Sequence, residues 1–427
     1  MPESTATKQA DGPANAAEED LAAFRERAHT WLSAHATPLQ DLGTETRRGS
    51  DSVAVFHDLP LEEERALLDR VRDWQRRKYD AGFGALSWPV ELGGGGLTSS
   101  HEVVFAEEES QFEVPSPHEL ASVTLYLVAP TLRLFGTDEL RERYLRPFLR
   151  GDAQCCQLFS EPSSGSDLGG LGTRATRDGD DWVVNGQKVW SSGAQFAEFG
   201  ELIARTDPDV PKHSGLTAFL MPLDLPGVEF RPLRQMSGGT SFCEVFLDDV
   251  RVPDSLRLGP VGKGWKVTLT TLGFERGHSG TTQTIGGGWR QLMPLARELG
   301  RDADPLVRKL LADVWISEKI LQLEAQRDHE ARLAGELPGP VSSLRKLQWV
   351  DGMQLVSEAA AAILGPRLAA DTGEWGTFSW TEHLLGAPGY RIAGGSDEIQ
   401  RNIVGERLLR LPSEPRADKG PWRDVPR

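Results

Sequence analysis

The sequence predicts an α+β protein of several domains, ordered helical, then β, then helical. Three observations predict this. Apolar residues recur at helical spacing from Leu21 to about Arg150. From Cys156 to about Pro253, short β-branched and aromatic runs bounded by Gly, Pro and Asp replace them. Helical spacing then returns after Gly264. A chain of 427 residues has room for about two to four domains.

Residues 1–18 are polar and aperiodic, and read as a disordered tail. The first helix is marked by Leu21, Phe24, Ala28, Trp31 and Leu32, and a second runs from Leu61 to about Tyr79. Four glycines at 93–96 follow Trp88-Pro-Val-Glu-Leu92. No strand precedes them and no Gly-Lys-Ser/Thr follows, so a turn is expected rather than a phosphate cradle. Helical spacing resumes near His101. In the β segment, Asp181 to Trp190 reads as two short strands about an Asn185-Gly186 hairpin turn. Leu202–Arg205, Thr217–Met221 and Val245–Leu247 are further strands, with Pro222, Pro226 and Pro232 between runs. Asp304-Pro305 starts a helix, with a capping Asp and Pro in the first turn. Another helix runs from about Ser342 to Gly365-Pro366, and a last one begins near Ser396. Residues 413–427 are rich in Pro and charge and read as a frayed tail. The expected boundaries are 1–18 tail, 19–155 helical, 156–258 β, 259–412 helical and 413–427 tail. No internal repeat occurs.

Hydrophobic residues make up 39% and charged ones 26%, the balance of a soluble globular chain. A net charge of −16 excludes the simplest nucleic-acid reading, which needs a basic face. Three cysteines, Cys155, Cys156 and Cys243, cannot make a disulfide framework. They are expected to pack, in a reducing cytoplasm. No His/Cys spacing suggests a metal site, no apolar run is long enough for a membrane span, and the N-terminus lacks a signal-peptide core.

Two segments carry chemistry. Gln157-Leu-Phe-Ser-Glu-Pro-Ser-Ser-Gly-Ser-Asp167 is a loop whose backbone N–H groups and hydroxyls can wrap a polar ligand. Asn185-Gly-Gln-Lys-Val-Trp-Ser-Ser192 sets a Trp beside hydroxyls, which can cover an aromatic ring and hydrogen-bond its edge. Taken singly, each also fits a plain loop or a core Trp.

With these segments stand Trp88-Pro-Val-Glu-Leu-Gly-Gly94, Glu244-Val-Phe246, Asp249-Val-Arg-Val-Pro253, Gly264-Trp265 and Ile399-Gln-Arg-Asn402. Together they make nearly the whole chain resemble the acyl-CoA dehydrogenase family of flavoproteins. The resemblance implies an N-terminal helical domain, a central β-barrel or sandwich domain and a C-terminal four-helix-bundle domain. FAD is then held non-covalently between the β domain and the C-terminal helices. Phe159 and Ser160 match positions at the flavin pyrimidine edge. Ser166 matches a serine near the FAD and substrate phosphates. Trp190 matches a residue flanking the isoalloxazine ring. Ser192 matches a hydroxyl directed at flavin N5, where Thr is usual. Ser396 and Glu398 match contacts to the adenosine portion, and Arg276 an arginine near the acyl-CoA site.

The implied reaction is α,β-desaturation of an acyl thioester. A carboxylate removes the Cα proton and Cβ passes hydride to flavin N5. Here the sequence departs from the commonest pattern. The usual base position before Ile399 is Gly394, in Ala393-Gly-Gly-Ser-Asp397. Some branches of the family carry the base on the first long C-terminal helix, which here is Glu275, in Leu272-Gly-Phe-Glu-Arg-Gly277. Glu275 is therefore expected to be the base. Asp397 and Glu398 are nearby alternatives, and a salt-bridging Glu275 is the plain reading. His278, one turn on, either tunes Glu275 or packs. Arg297-Glu-Leu-Gly-Arg301 shortens a family segment that reaches FAD across a subunit interface, and Ser163-Ser164 stands where Gly-Ala is common. Gly394 also leaves space at the substrate, which suits a bulky or branched acyl group on CoA or on a carrier protein. The resemblance implies a homodimer or homotetramer and an electron-transferring flavoprotein as acceptor. Two rivals stand beside it: a flavin oxidase or monooxygenase, and a silent partner subunit.

Overall fold

The computed structural model describes residues 20–41, 53–56, 59–278, 286–333, 339–369, 377–415 and 418–425; the side chains of 276–278, 328–329, 332–333 and 377–378 lie outside it. Helix α1 (Leu21–His35) starts where the Asp20 side chain accepts the Ala22 N–H. Helices α2 (Leu61–Asp80) and α3 (Ser99–Glu109) follow, the latter opened by a reciprocal Thr98–His101 cap. Phe24, Ala28 and Leu32, spaced to share one face of α1, are fully buried against Phe83, Phe105 and Phe112. A short helix α4 (Glu119–Ser122) runs through a π-helical stretch, Val123–Val128, into α5 (Ala129–Phe135), and α6 (Asp138–Arg150) follows. Helix α6 ends at Gly151, whose φ of 83° only glycine adopts at little cost.

The β segment follows a two-stranded pair, β1 (Thr37–Pro38) with β2 (Phe112–Glu113). It comprises β3 (Cys155–Leu158), β4 (Arg174–Asp178), β5 (Asp181–Ser192), β6 (Phe199–Arg205), β7 (Leu216–Pro222), β8 (Val228–Leu233), β9 (Phe242–Pro253) and β10 (Arg257–Leu258). They form one eight-stranded sheet in the order β10-β7-β6-β4-β5-β9-β8, with β3 added parallel to β6. Leu120, Leu132 and Phe148 of the helices share one core with Val184, Phe219, Val245 and Val250 of the sheet. The helical and β segments thus stabilise each other.

Asn185-Gly186 is not a hairpin turn. β5 runs straight through it, paired with β4 on one side and β9 on the other, with a register shift at Val184/Gly186. The pair makes a bulge, because Gly186 lies against Thr173; a Cβ there would sit 2.3 Å from Thr173 Oγ1. The four glycines do form a closed turn, as expected: the Tyr79 hydroxyl donates to Gly93 O at 2.6 Å, and a Cβ on Gly94 would meet Trp88 O.

The C-terminal helices are α7 (Gly264–His278), α8 (Trp289–Glu298), α9 (Pro305–Leu333), α10 (Val341–Leu364), α11 (Thr377–Gly386) and α12 (Asp397–Ile403). Asp304 opens α9 by accepting the Leu306 N–H at 2.9 Å. Leu292, Val307, Leu311, Val314, Val356 and Trp380 form their core. Val53 enters that core from the N-terminal side of the chain.

One expectation fails at the C-terminus. Residues 418–425 do not fray but lie along the β segment, with Pro421 bridged to Pro211. Local composition suggested a tail; tertiary contacts override it, among them the Trp422 Nε1–H, which donates to Gly170 O at 3.1 Å. No helix among the described residues is long and apolar enough to cross a membrane. No metal-ligating cluster occurs among them either.

Candidate active site

The loop after β3 is built on a buried ion pair. Lys188, on β5, is fully buried and donates to Glu161 Oε1 at 2.8 Å and to Phe159 O at 3.0 Å. Glu161 also accepts the Gly172 and Thr173 N–H groups, at 2.7 and 2.9 Å. Burial raises the Glu161 carboxyl, but the Lys188 ammonium together with the hydrogen bonds from Thr173 and Gly172 holds the group below the usual range. Burial pulls Lys188 down, and Glu161 opposes that shift. Glu161 and Ser164 exchange backbone hydrogen bonds of 3.0 Å, closing a turn that leaves Gly165, Ser166 and Asp167 exposed. The Phe159 side chain itself packs with Leu168, Leu171, Ile203 and Leu216, so only its backbone faces the loop. Ser160 is half-buried, and its carbonyl accepts the Val189 N–H at 2.9 Å.

A second register shift, between Lys188 and Ser191, re-aims Trp190. Trp190 has φ +61°, a conformation costly for a bulky residue, and the residue is 60% exposed. The strained backbone turns a large aromatic outward, where it adds nothing to the packing of the core. Two residues on, Ser192 is half-buried and its hydroxyl bonds to the Glu119 carboxyl at the start of α4. Burial pushes Glu119 up; the Ser192 bond and His118 pull it down, and Glu64 adds to the rise. An outward aromatic face, an adjacent hydroxyl and a loop of exposed serines together fit a flat aromatic cofactor with a phosphate tail.

Glu275, on α7, is half-buried and faces the segment between α11 and α12. Gly394 has φ +66°, and a Cβ on it would lie 3.1 Å from Glu275 Oε1. The two positions that the sequence set against each other as base therefore meet at one point. Tyr390 lies beside them: burial pushes its phenol well above the usual range, and the negative charges of Glu119 and Glu275 add to this. Its ring stacks on Phe56 at 5.1 Å; Phe56 meets Phe242 edge-on at 5.4 Å, and Phe242 meets Trp190 at 5.8 Å. This row of rings ties the Trp190 region to the Gly394 region.

The alternatives to Glu275 have other work. Asp397 is buried and accepts from Arg391 at 2.8 Å and Lys346 at 3.3 Å. Burial raises its carboxyl, but those two cations hold it low. Ser396 caps α12 by accepting the Ile399 N–H at 3.4 Å, and Glu398 sits exposed in the first turn. The side chains of Arg276 and His278 lie outside the described residues. Burial pushes the Cys155 and Cys156 thiols well up and Cys243 to about 11, so none is poised as a thiolate. Sequence reasoning missed Glu119 and Tyr390, which carry no local motif.

Family models match in register with this layout. The N-terminal, middle and C-terminal domains of acyl-CoA dehydrogenase match residues 57–152, 156–250 and 262–409. The acyl-CoA dehydrogenase IpdE1 of Mycobacterium tuberculosis is 39% identical over 83% of this chain and 91% of its own. The human mitochondrial short-chain specific acyl-CoA dehydrogenase is 28% identical over 77% of this chain and 80% of its own. Among solved structures, the "Tcur3481-Tcur3483 steroid ACAD" superposes with a TM-score of 0.75 at 27% identity, covering 92% of this chain and 98% of that one. The chain therefore belongs to the acyl-CoA dehydrogenase family, FAD-dependent oxidoreductases that act on acyl-CoA thioesters.

Proposed function

We propose that the chain desaturates an acyl-CoA at Cα–Cβ with Glu275 as the base. The observation that carries this reading is the approach of Glu275 Oε1 to 3.1 Å from the Cβ position of Gly394. A carboxylate arriving from α7 thus reaches the place the family commonly fills from the 394 segment. Glu275 takes the Cα proton, in a half-buried setting beside the Tyr390 phenol. Bound FAD would supply the acceptor for the hydride lost from Cβ. Trp190 offers its exposed face to the ring system, and Ser192, held by Glu119, presents a hydroxyl at its edge. Ser160, the Phe159 backbone and Ser166 line the phosphate and pyrimidine side, while Ser396 and Glu398 bound the adenosine side through the start of α12.

The reading includes a bulky or branched acyl group, and the structural neighbour described as a steroid ACAD supports that class. A carrier-protein thioester fits the same chemistry. The reading includes a cytoplasmic location, an electron-transferring flavoprotein as acceptor, and a homodimer or homotetramer. The oligomer is supported by an exposed apolar row on α9 formed by Ile316, Ile320 and Leu323.

The test is anaerobic. Holoprotein is mixed with a panel of straight-chain, branched and polycyclic acyl-CoAs, and the flavin absorbance is followed. Bulky thioesters should bleach it fastest. Glu275→Gln should retain the flavin and slow the bleach by about 10²–10⁴-fold, the usual worth of a positioned base. Bleaching of that variant at the parent rate would remove Glu275 from the reaction.

A further inference from the structure

We propose that residues 418–425 are a clasp: they position the 159–173 loop and so set how tightly the site holds its phosphate-bearing ligands. The affinity part of this rests on the reading of the Ser166 loop as a ligand loop; the positioning part does not.

The loop's own backbone is gathered by Arg205, at the end of β6 and 2% exposed. Its guanidinium donates to Gly169 O at 2.8 Å, Leu171 O at 3.1 Å and Lys212 O at 3.1 Å. An aromatic face is a favourable cover for a buried guanidinium. Trp422 supplies that face, with its ring centroid 4.2 Å from the Arg205 Cζ. The same indole donates to Gly170 O, between the two loop carbonyls that Arg205 holds. Backbone hydrogen bonds seat the segment: Trp422 N–H to Val210 O at 2.9 Å and Arg423 N–H to Pro208 O at 3.1 Å.

A second arm reaches the exposed turn. Lys212 Nζ lies 2.6 Å from Asp167 Oδ1 and 2.5 Å from Asp418 Oδ2, with its side chain 9% exposed. Asp167 directly follows Ser166. The clasp therefore grips the loop twice, at Gly170 through the indole and at Asp167 through a shared lysine. Residues 418–425 belong to none of the hydrophobic cores, so loosening them should free the loop before the fold. Trp422 and Asp418 are positioning residues, acting through the loop rather than on the reacting atoms.

The test uses full-length holoprotein bearing Trp422→Ala, Trp422→Phe or Asp418→Asn. It reads amide hydrogen exchange, FAD release by recovery of flavin fluorescence, and KM against kcat. In Trp422→Ala, exchange at residues 170–173 should quicken and FAD release rise about ten-fold or more, as expected for loss of one cation–π contact and one hydrogen bond. KM should rise while kcat of the loaded enzyme stays within about two-fold, since nothing at the reacting centre has changed. Trp422→Phe keeps the aromatic cover and should retain most of the parent behaviour; Asp418→Asn should fall between. Unchanged exchange at 170–173 in Trp422→Ala overturns the clasp, as does a uniform quickening across the chain. Faster loop exchange with unchanged FAD release and KM overturns the link to ligand affinity. Neither exchange nor FAD release needs turnover, so a failure of the proposed dehydrogenation would be seen separately.

Discussion

Where the carboxylate enters decides which substitutions the centre tolerates. Gly394 carries φ +66°, so any side chain there costs on the order of 1 kcal/mol in backbone strain. Its Cβ would also press on Glu275 Oε1 at 3.1 Å, and the carboxylate must yield by a few tenths of an ångström. Gly394→Ala should therefore melt slightly lower and lose about ten-fold in kcat, because small misplacements of a catalytic group are costly. Gly394→Glu placed on Glu275→Gln is the sharper experiment. A carboxylate restored from the other side should turn over faster than Glu275→Gln alone, read by the anaerobic bleaching rate. Equal rates in the two variants would mean that the positions do not serve one site. At this scale the sequence was informative where a motif was local. Trp190, Ser192 and Lys188 lie in one strand, where Trp190 turns outward, Ser192 bonds to Glu119 and Lys188 pairs with Glu161. Glu119 was not legible, because it meets Ser192 only through the docking of α4 on the sheet. Phe159 was legible as a position but not as a side chain; its ring belongs to the core.

At the scale of elements, the helix that carries Glu275 is anchored one turn earlier, at Thr271, to an acid of β6. Thr271 donates to Glu201 Oε1 at 2.7 Å and pairs with Thr131 at 2.9 Å, all inside the protein. Burial pushes Glu201 up to about 8, with the Thr271 bond opposing, so this acid is neutral near pH 7. The folded state thus holds a proton that the unfolded chain releases near pH 4.3. The resulting stability is fully present below that pH and is lost as pH rises to about 8, at no more than about 1.4 kcal/mol per pH unit. Glu201→Gln keeps a neutral hydrogen-bonding group of the same shape. It should be more stable than the parent at pH 8, and its stability should vary less between pH 5 and 8, measured by urea unfolding at fixed pH. A parent slope unchanged by the substitution would count against a neutral Glu201. The helices themselves were legible from their ends: Asp304-Pro305 and Gly365-Pro366 bracket α9 and α10 as their chemistry requires. Asn185-Gly186 misled because the turn signal is local, whereas the contact with Thr173 and the pairing with both β4 and β9 are tertiary.

For the whole molecule, the informative surface is the one the core does not use. Helix α9 buries Val307, Leu311 and Val314 on one side. On another it leaves Trp315, Ile316, Ile320 and Leu323 at 44%, 50%, 43% and 61% exposure. Ile316, Ile320 and Leu323 are spaced i, i+4 and i+7, so they form one continuous row. A second apolar face on a helix is the kind of surface an intermolecular contact covers. Residues 418–425 do not cover it, since they are committed to the loop at Gly170 and Asp167. A second copy meeting this row about a two-fold axis buries each side chain twice, so one substitution places two charges in the contact. Ile320→Glu should therefore weaken self-association by at least about 10²-fold, because a carboxylate buried without a partner costs several kcal/mol. Light scattering on the eluting peak should show the mass fall toward 46.9 kDa, with flavin content and helical circular dichroism unchanged. A variant that keeps the parent mass would place the oligomer contact elsewhere, and a parent that already elutes at the mass of one chain would leave this row without a second copy to cover it.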